Sequence, residues 1–271
     1  MTHNMKKTAQ KFVIANWKMH GNFEQNQALL KAYVSKLSDL KDTQIVVCVP
    51  YPYLAQAQSL LQNTDIAWGA QNLAKNENGP FTGEVSAQML LDFGCEYVIL
   101  GHSERATAYC ESDENIAQKF MVAKQHGITP ILCVGETLIE REAGVMALKV
   151  GKQLDAIIDL YGADVFNDTI VSYEPIWAIG TGLAASPEQA KAMHKFIFDQ
   201  LSKANGKQKN SVKILYGGSV NPQNALQLFK VENIDGGLIG KCSLSAQEFE
   251  GICQAAELSV SWFLYVWPKI L

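Results

Sequence analysis

The chain has 271 residues, 48% of them hydrophobic, and a formal net charge of -4. That length suits one large domain, and the mild acidity argues against general nucleic-acid binding. No long block of like charges occurs, and the apolar content excludes a globally disordered chain.

The first ten residues, M-T-H-N-M-K-K-T-A-Q, are polar and lack the apolar centre of a signal peptide. Short apolar runs then recur, with longer helical patterns between them. F-V-I-A-N (12–16) is followed by Trp17 and Lys18. I-V-V-C-V (45–49) and I-A-W-G-A (66–70) come next, the latter followed by Gln71-Asn72. Y-V-I-L-G (97–101) follows Gly94 and leads into His102-Ser103-Glu104-Arg105. The segment E-N-I-A-Q-K-F-M-V-A-K-Q-H (114–126) has apolar residues near three-and-four spacing and ends at Gly127, as a helix does. I-T-P-I-L-C-V-G (128–135) leads into Glu136-Thr137, and I-V-S-Y-E (170–174) ends on Glu174. Ser186-Pro187-Glu188-Gln189 predicts a helix start, with an N-cap, Pro at the first helical position and a capping-box Gln. V-K-I-L-Y-G (212–217) precedes Gly218-Ser219, and Asn221-Pro222 repeats the cap and Pro. I-D-G-G-L-I-G (234–240) precedes Lys241, and Ser245-x-x-Glu248 is another capping box.

Most of these runs are rich in β-branched or aromatic residues and end in Gly, Asn or Pro, as buried strands do. Eight strand–helix units in about 250 residues predict an α/β fold: a single (β/α)8 barrel with eight parallel strands and an outer ring of helices. A doubly wound open sheet would carry G-x-G-x-x-G after the first strand, and none is there. In such a barrel the chemistry gathers at the C-terminal ends of the strands.

Six cysteines occur, at 48, 95, 110, 133, 242 and 253, without a C-x-x-C pair. Cys48 and Cys133 lie inside apolar runs and read as small buried hydrophobes. This usage fits a reducing cytoplasm better than secretion. The five histidines are scattered, without H-E-x-x-H spacing, so no metal site is predicted and no cofactor is expected.

Glu174 is the best candidate base: apolar loop residues around it at a barrel mouth would strengthen its basicity. The alternative is an ordinary strand-end carboxylate paired with a cation. His102 could donate a hydrogen bond to a substrate carbonyl, and a helix starting just after it would favour the uncharged ring; otherwise it is structural or solvated. Lys18, after the first strand, suits an anionic substrate, though surface exposure is the usual fate of lysine. Gly217-Gly218-Ser219 and Gly236-Gly237…Gly240 lie at the seventh and eighth strands, where barrels commonly bind phosphate through backbone N–H groups. Each glycine motif singly could serve turn formation alone.

Eight motifs in order identify a resemblance: A-N-W-K-M-H-G-N (15–22), G-A-Q-N (69–72), G-P-F-T-G-E-V-S (79–86), Y-V-I-L-G-H-S-E-R (97–105), P-I-L-C-V-G-E-T (130–137), Y-E-P-I-W-A-I-G-T-G (173–182), Y-G-G-S-V-N-P-Q-N-A (216–225) and D-G-G-L-I-G (235–240). Over about residues 12 to 257 the chain resembles the triosephosphate isomerase family. The resemblance implies a TIM barrel and cofactor-independent interconversion of dihydroxyacetone phosphate and D-glyceraldehyde 3-phosphate through an enediolate, in glycolysis and gluconeogenesis. It implies Glu174 as base, His102 as neutral electrophile, and Lys18 and Asn16 as electrostatic stabilisers. Asn16, Lys18, Gly180, Ser219, Gly240 and Lys241 would bind substrate or its phosphate, and Glu104 would support the lysine. Pro175 to Gly182 would form a lid. The family is typically a cytoplasmic homodimer, with no nucleic-acid or membrane partner expected. Thr82 would enter the neighbouring subunit, and Glu84 and Arg105 would pair between subunits. Another sugar-phosphate barrel enzyme would need a metal site or a Schiff-base lysine, and neither is evident. A non-catalytic phosphate-binding or scaffold protein would have lost Glu174, His102 or Lys18, and all three remain.

Three departures stand out. Ala106 replaces the second Arg of G-H-S-E-R-R. Gly240-Lys241-Cys242-Ser243 replaces G-G-A-S, which would strain a phosphate-binding backbone or add a cation; weakened but retained phosphate binding is expected. Residues 258–271, L-S-V-S-W-F-L-Y-V-W-P-K-I-L, form an atypical apolar tail after a catalytic domain spanning 1–257, and are expected to be too short to span a bilayer.

Overall fold

β-Branched and aromatic runs become strands here because both of their faces find apolar cover. The computed structural model describes residues 11–179, 185–204 and 211–266. Its strands are β1 (Lys11–Asn16), β2 (Thr43–Cys48), β3 (Ile66–Ala70), β4 (Tyr97–Leu100), β5 (Thr129–Val134), β6 (Ile170–Tyr173), β7 (Lys213–Tyr216) and β8 (Gly236–Ile239). They close a barrel in chain order, every neighbouring pair parallel, with β8 returning to β1 through Phe12↔Gly236 and Val13↔Gly237. Each expected run supplies one strand. Boundaries move by a residue or two because ladder hydrogen bonds, not apolarity, decide where a strand stops.

Alternation along the strands separates two cores. Phe12, Ile14, Val46, Cys48, Ile99, Ile131, Cys133 and Leu215 pack together in one cluster, which fills the barrel. Val13, Ala15, Val47, Val98, Leu132 and Ile214 belong to the other, packed with helix residues such as Leu30, Phe120, Leu154 and Phe249. At the N-terminal end of β1, Lys11 Nζ donates to the carbonyls of Phe229 (2.7 Å) and Ile234 (2.5 Å). Burial pulls that ammonium down to about 8.

The helix signals behave as side-chain chemistry requires. Ser186 and Gln189 form a reciprocal box ahead of the helix Pro187–Ala204: Ser186 N donates to Gln189 Oε1 (2.9 Å) and Gln189 N to Ser186 Oγ (3.2 Å). Asn221 differs from its expected role. Its Oδ1 accepts from the N–H groups of Gln223 and Asn224, both at 3.0 Å, but this closes a turn and the helix begins only at Ala225.

The last helix, Ala246–Val266, runs through residue 257. Phe249, Ile252, Cys253 and Ala256 are buried on its inner face, and Val260 continues that face, while Leu258 is 59% exposed. Glu257 ties the helix to the barrel by accepting from Lys41 N, Asp42 N and Thr43 Oγ1. Among the described residues no helix is long and apolar enough to cross a membrane. Gly180 to Gly182, and the last five residues of the apolar tail, lie outside the described residues.

Candidate active site

Glu174 follows β6 directly, and its N–H donates to Val134 O at 2.7 Å. The side chain is 2% exposed. Its Oε1 lies 3.6 Å from His102 Nε2, and its Oε2 has no hydrogen-bond partner. A buried carboxylate oxygen without a donor is unusual; here it is free to receive a proton. Gly217, just past β7, makes the room. A Cβ there would stand 2.5 Å from Ser172 Oγ and 2.7 Å from Glu174 Cγ, so only glycine lets the carboxylate lie where it does.

His102 follows β4 by one residue and caps the helix Ser103–Tyr109. Its Nδ1 accepts from the Glu104 N–H at 3.2 Å. Because a backbone N–H only donates, that bond places the ring proton on Nε2, the nitrogen facing Glu174.

Lys18 carries backbone strain. Its φ of 53° is left-handed, which costs a non-glycine residue about 1 kcal/mol or more. Two bonds fix that turn: Lys18 N donates to Asn16 Oδ1 (3.0 Å), and Gln71 Nε2 donates to Lys18 O (2.9 Å). The ammonium meets Glu104 Oε1 at 2.5 Å. Gly240 lies beside the stem, where an added Cβ would come 3.3 Å from Lys18 Cε. So this one cation, just past β1, pairs with a carboxylate from the end of β4 and lies near the end of β8. A cavity of about 420 Å³ opens beside it, bordered by Asn16, Lys18, Gln71, His102 and Glu104.

Ser219 is half-buried, and its carbonyl accepts from Asn224 Nδ2 at 3.1 Å. Gly218 is forced to be glycine by the Tyr216 hydroxyl, which a Cβ would approach to 2.3 Å. Lys241 is exposed and opens the short 3-10 turn Lys241–Leu244, held by Ser243 N and Oγ on Gly240 O (2.9 and 2.6 Å).

A polar knot with little signature in the local sequence lies under Trp177. Glu136, fully buried after β5, accepts on Oε1 from Arg141 Nη1 (3.1 Å), Tyr173 OH (3.0 Å) and Trp177 Nε1 (3.0 Å). The Arg141 guanidinium also lies 5.0 Å from the Trp177 ring centroid. Tyr216 OH accepts from Ala185 N at 2.9 Å. The only local signal was Glu136 standing five residues before Arg141, across the Thr137 helix cap.

A family model described as Triosephosphate isomerase matches residues 11–256. The chain belongs to the triosephosphate isomerase family. Proteins named triosephosphate isomerase from Nitrosomonas eutropha and Thiobacillus denitrificans are 51% and 52% identical to it over 246 and 247 residues, 91% of this chain and 98% of each relative. One from Dechloromonas aromatica is 48% identical over 247 residues, 91% of this chain and 99% of that protein.

Membership in the triosephosphate isomerase family makes the chain an isomerase and gives its departures a frame. Among the described residues the non-glycine residues with positive φ are Lys18, Cys110, Asp168 and Asn233, and Lys241 is not one of them. Lys241 therefore carries no left-handed strain, and its ammonium is an added cation at that position. Ala106 is exposed. Thr82 and Glu84 lie on the exposed stretch 77–84. Arg105 Nε is held within the chain by Glu111 Oε2 (3.1 Å), and Glu111 also binds the Lys119 ammonium, which reaches Asn72 Oδ1 at 2.9 Å.

Proposed function

We propose that the chain interconverts dihydroxyacetone phosphate and D-glyceraldehyde 3-phosphate by proton transfer through an enediolate. The observation that carries this reading is the buried carboxylate of Glu174, with one oxygen unpartnered and the other beside the proton-bearing nitrogen of His102. Glu174 takes the proton from the carbon next to the carbonyl and returns it to the neighbouring carbon. His102 Nε2–H donates to the carbonyl oxygen as negative charge develops on it, and the ring relays the hydroxyl proton from one substrate oxygen to the other. Lys18 and Asn16 stabilise the same charge, in a site where fixed donors need no reorganisation. Glu104 holds the ammonium in place.

The phosphate end is assigned to the backbone around Gly180, Ser219 and Gly240, with Lys241 as an added cation at the rim. The catalytic domain spans 1–257, with 258–271 as an appended tail. We assign the working form as a cytoplasmic homodimer, its interface built on the exposed loop around Thr82 and Glu84 together with Arg105. Supporting it, Met19, Phe23, Phe81 and Tyr109 are large apolar side chains left 93%, 65%, 42% and 70% exposed on the single chain.

Turnover of dihydroxyacetone phosphate in heavy water tests the proton-transfer reading. Deuterium should enter the carbon-bound positions with the wild-type chain and not with Glu174→Gln. Equal incorporation by both would contradict it.

A further inference from the structure

The first helix, Phe23–Leu37, buries Asn26, Leu30, Tyr33 and Leu37 on one face. Tyr33 is completely buried, and its ring packs on Phe249 of the last helix with centroids 4.7 Å apart at 31°. An apolar residue would serve that packing alone. A tyrosine adds a hydroxyl, which when buried needs a partner. The partner is a backbone carbonyl: Tyr33 OH donates to Ser243 O. Burial pushes the Tyr33 phenol far above its ordinary value, so the hydroxyl keeps its proton and stays a donor at every working pH.

Ser243 is itself completely buried, in the short turn that follows β8. It is fastened three ways. Its carbonyl takes the tyrosine hydroxyl, while its N–H and its Oγ–H both go to Gly240 O, at 2.9 and 2.6 Å. Two donors on one oxygen fix the plane of the Gly240–Lys241 peptide. Because a trans peptide is planar, a C=O held toward Ser243 leaves the Lys241 N–H facing the opposite way. Gly240 also borders the stem of Lys18, where an added Cβ would come 3.3 Å from Lys18 Cε. Tyr33 thus stands at the inner end of a chain of bonds whose outer end is the turn beside the active-site cation.

We propose that Tyr33 is a positioning residue for the anionic end of the substrate: its hydroxyl holds Ser243, Ser243 orients the Gly240–Lys241 peptide, and that peptide meets the phosphate. The proposal rests on the reading that assigns phosphate to the backbone around Gly240, and deepens it. Losing the hydroxyl leaves Ser243 O without this donor and frees the turn to shift. Phosphate in a looser turn binds less well, and its binding contributes less to the reacting end. A substrate without phosphate has no such contribution to lose.

The test is Tyr33→Phe, which keeps the ring against Phe249 and removes only the hydroxyl. KM for dihydroxyacetone phosphate and the inhibition constant of inorganic phosphate should both rise several-fold. Deuterium exchange into D-glyceraldehyde, which has no phosphate, should proceed at the wild-type rate in heavy water. That last readout separates positioning from damage, because a merely loosened barrel would slow both substrates alike. Ser243→Ala, which removes one of the two donors on Gly240 O, should move the same two constants in the same direction. Wild-type constants in Tyr33→Phe would overturn the proposal, as would an equal loss on D-glyceraldehyde. Wild-type constants in Ser243→Ala would overturn it even if Tyr33→Phe does not fold. A wild-type chain that isomerises triose phosphate but is insensitive to inorganic phosphate would sink the phosphate assignment and the proposal with it, a separate and recognisable result.

Discussion

His102 Nε2 lies 3.6 Å from Glu174 Oε1, and the Glu104 N–H bonded to His102 Nδ1 leaves the ring proton on the side of the carboxylate. A base and a hydrogen-bond donor thus share one wall of the site, each supplied by the first residues beyond a strand. The gap is wide enough that neither satisfies the other directly. Both are left to act on a third group placed between them.

Glu136 is predicted to be the main polar support of that wall. Glu136→Ala leaves Arg141, Tyr173 and Trp177 without their shared acceptor. Breaking such a buried ion pair from one side should destabilise the fold by about 3 kcal/mol. Glu136→Gln keeps one acceptor oxygen and should cost clearly less. Urea unfolding of the two variants measures this, and equal losses would show that the acceptor role is not what matters.

The sequence exposes one half of this arrangement and hides the other. Strands were legible because runs such as I-V-V-C-V can only be buried on both faces, and Glu174, His102 and Lys18 were legible because each stands just past such a run. The knot at Glu136 was not. Its partners Tyr173 and Trp177 are 37 and 41 residues away, with no period linking them. Residue type alone also does not give backbone conformation: Lys241 stands without a positive φ, which only the structure reveals. At Asn221 a cap-like residue closed a turn of its own before the helix began.

His194 should set part of the acid limit of stability. Burial lowers its pKa from 6.5 to about 4, against the opposing pull of its bond to Asn233 O. Between those values the unfolded chain binds a proton that the folded chain does not. Stability therefore falls as pH drops from about 6.5 to about 4, and this contribution is complete below that. The shift corresponds to about 3 kcal/mol. In chemical unfolding across this range, a folded His194→Leu variant should lose stability less steeply than wild type. Parallel curves would contradict the assignment.

Lys241 should help bind the anionic end of the substrate without straining the chain. Lys241→Gly is expected to raise KM by up to about five-fold, the range of an exposed charge worth about 1 kcal/mol or less. The difference should shrink at high salt. Unchanged KM and unchanged affinity for a phosphate-bearing inhibitor would remove Lys241 from the site.

The exposed loop around Phe81 predicts a self-association surface. Sedimentation should show a dimer for the wild-type chain and a shift toward monomer for Phe81→Asp, a charge placed on a side chain already 42% exposed. A wild-type monomer at working concentration would contradict the homodimer assignment.

The central claim is that Glu174 is the base, and a coupled assay of triose phosphate isomerisation tests it most directly. Wild-type protein is assayed beside Glu174→Gln, which keeps the shape and removes the basic oxygen. A positioned general base contributes about 10²- to 10⁴-fold, so the variant should lose kcat by at least about 10²-fold while KM changes little. A wild-type chain no faster than Glu174→Gln would contradict the account.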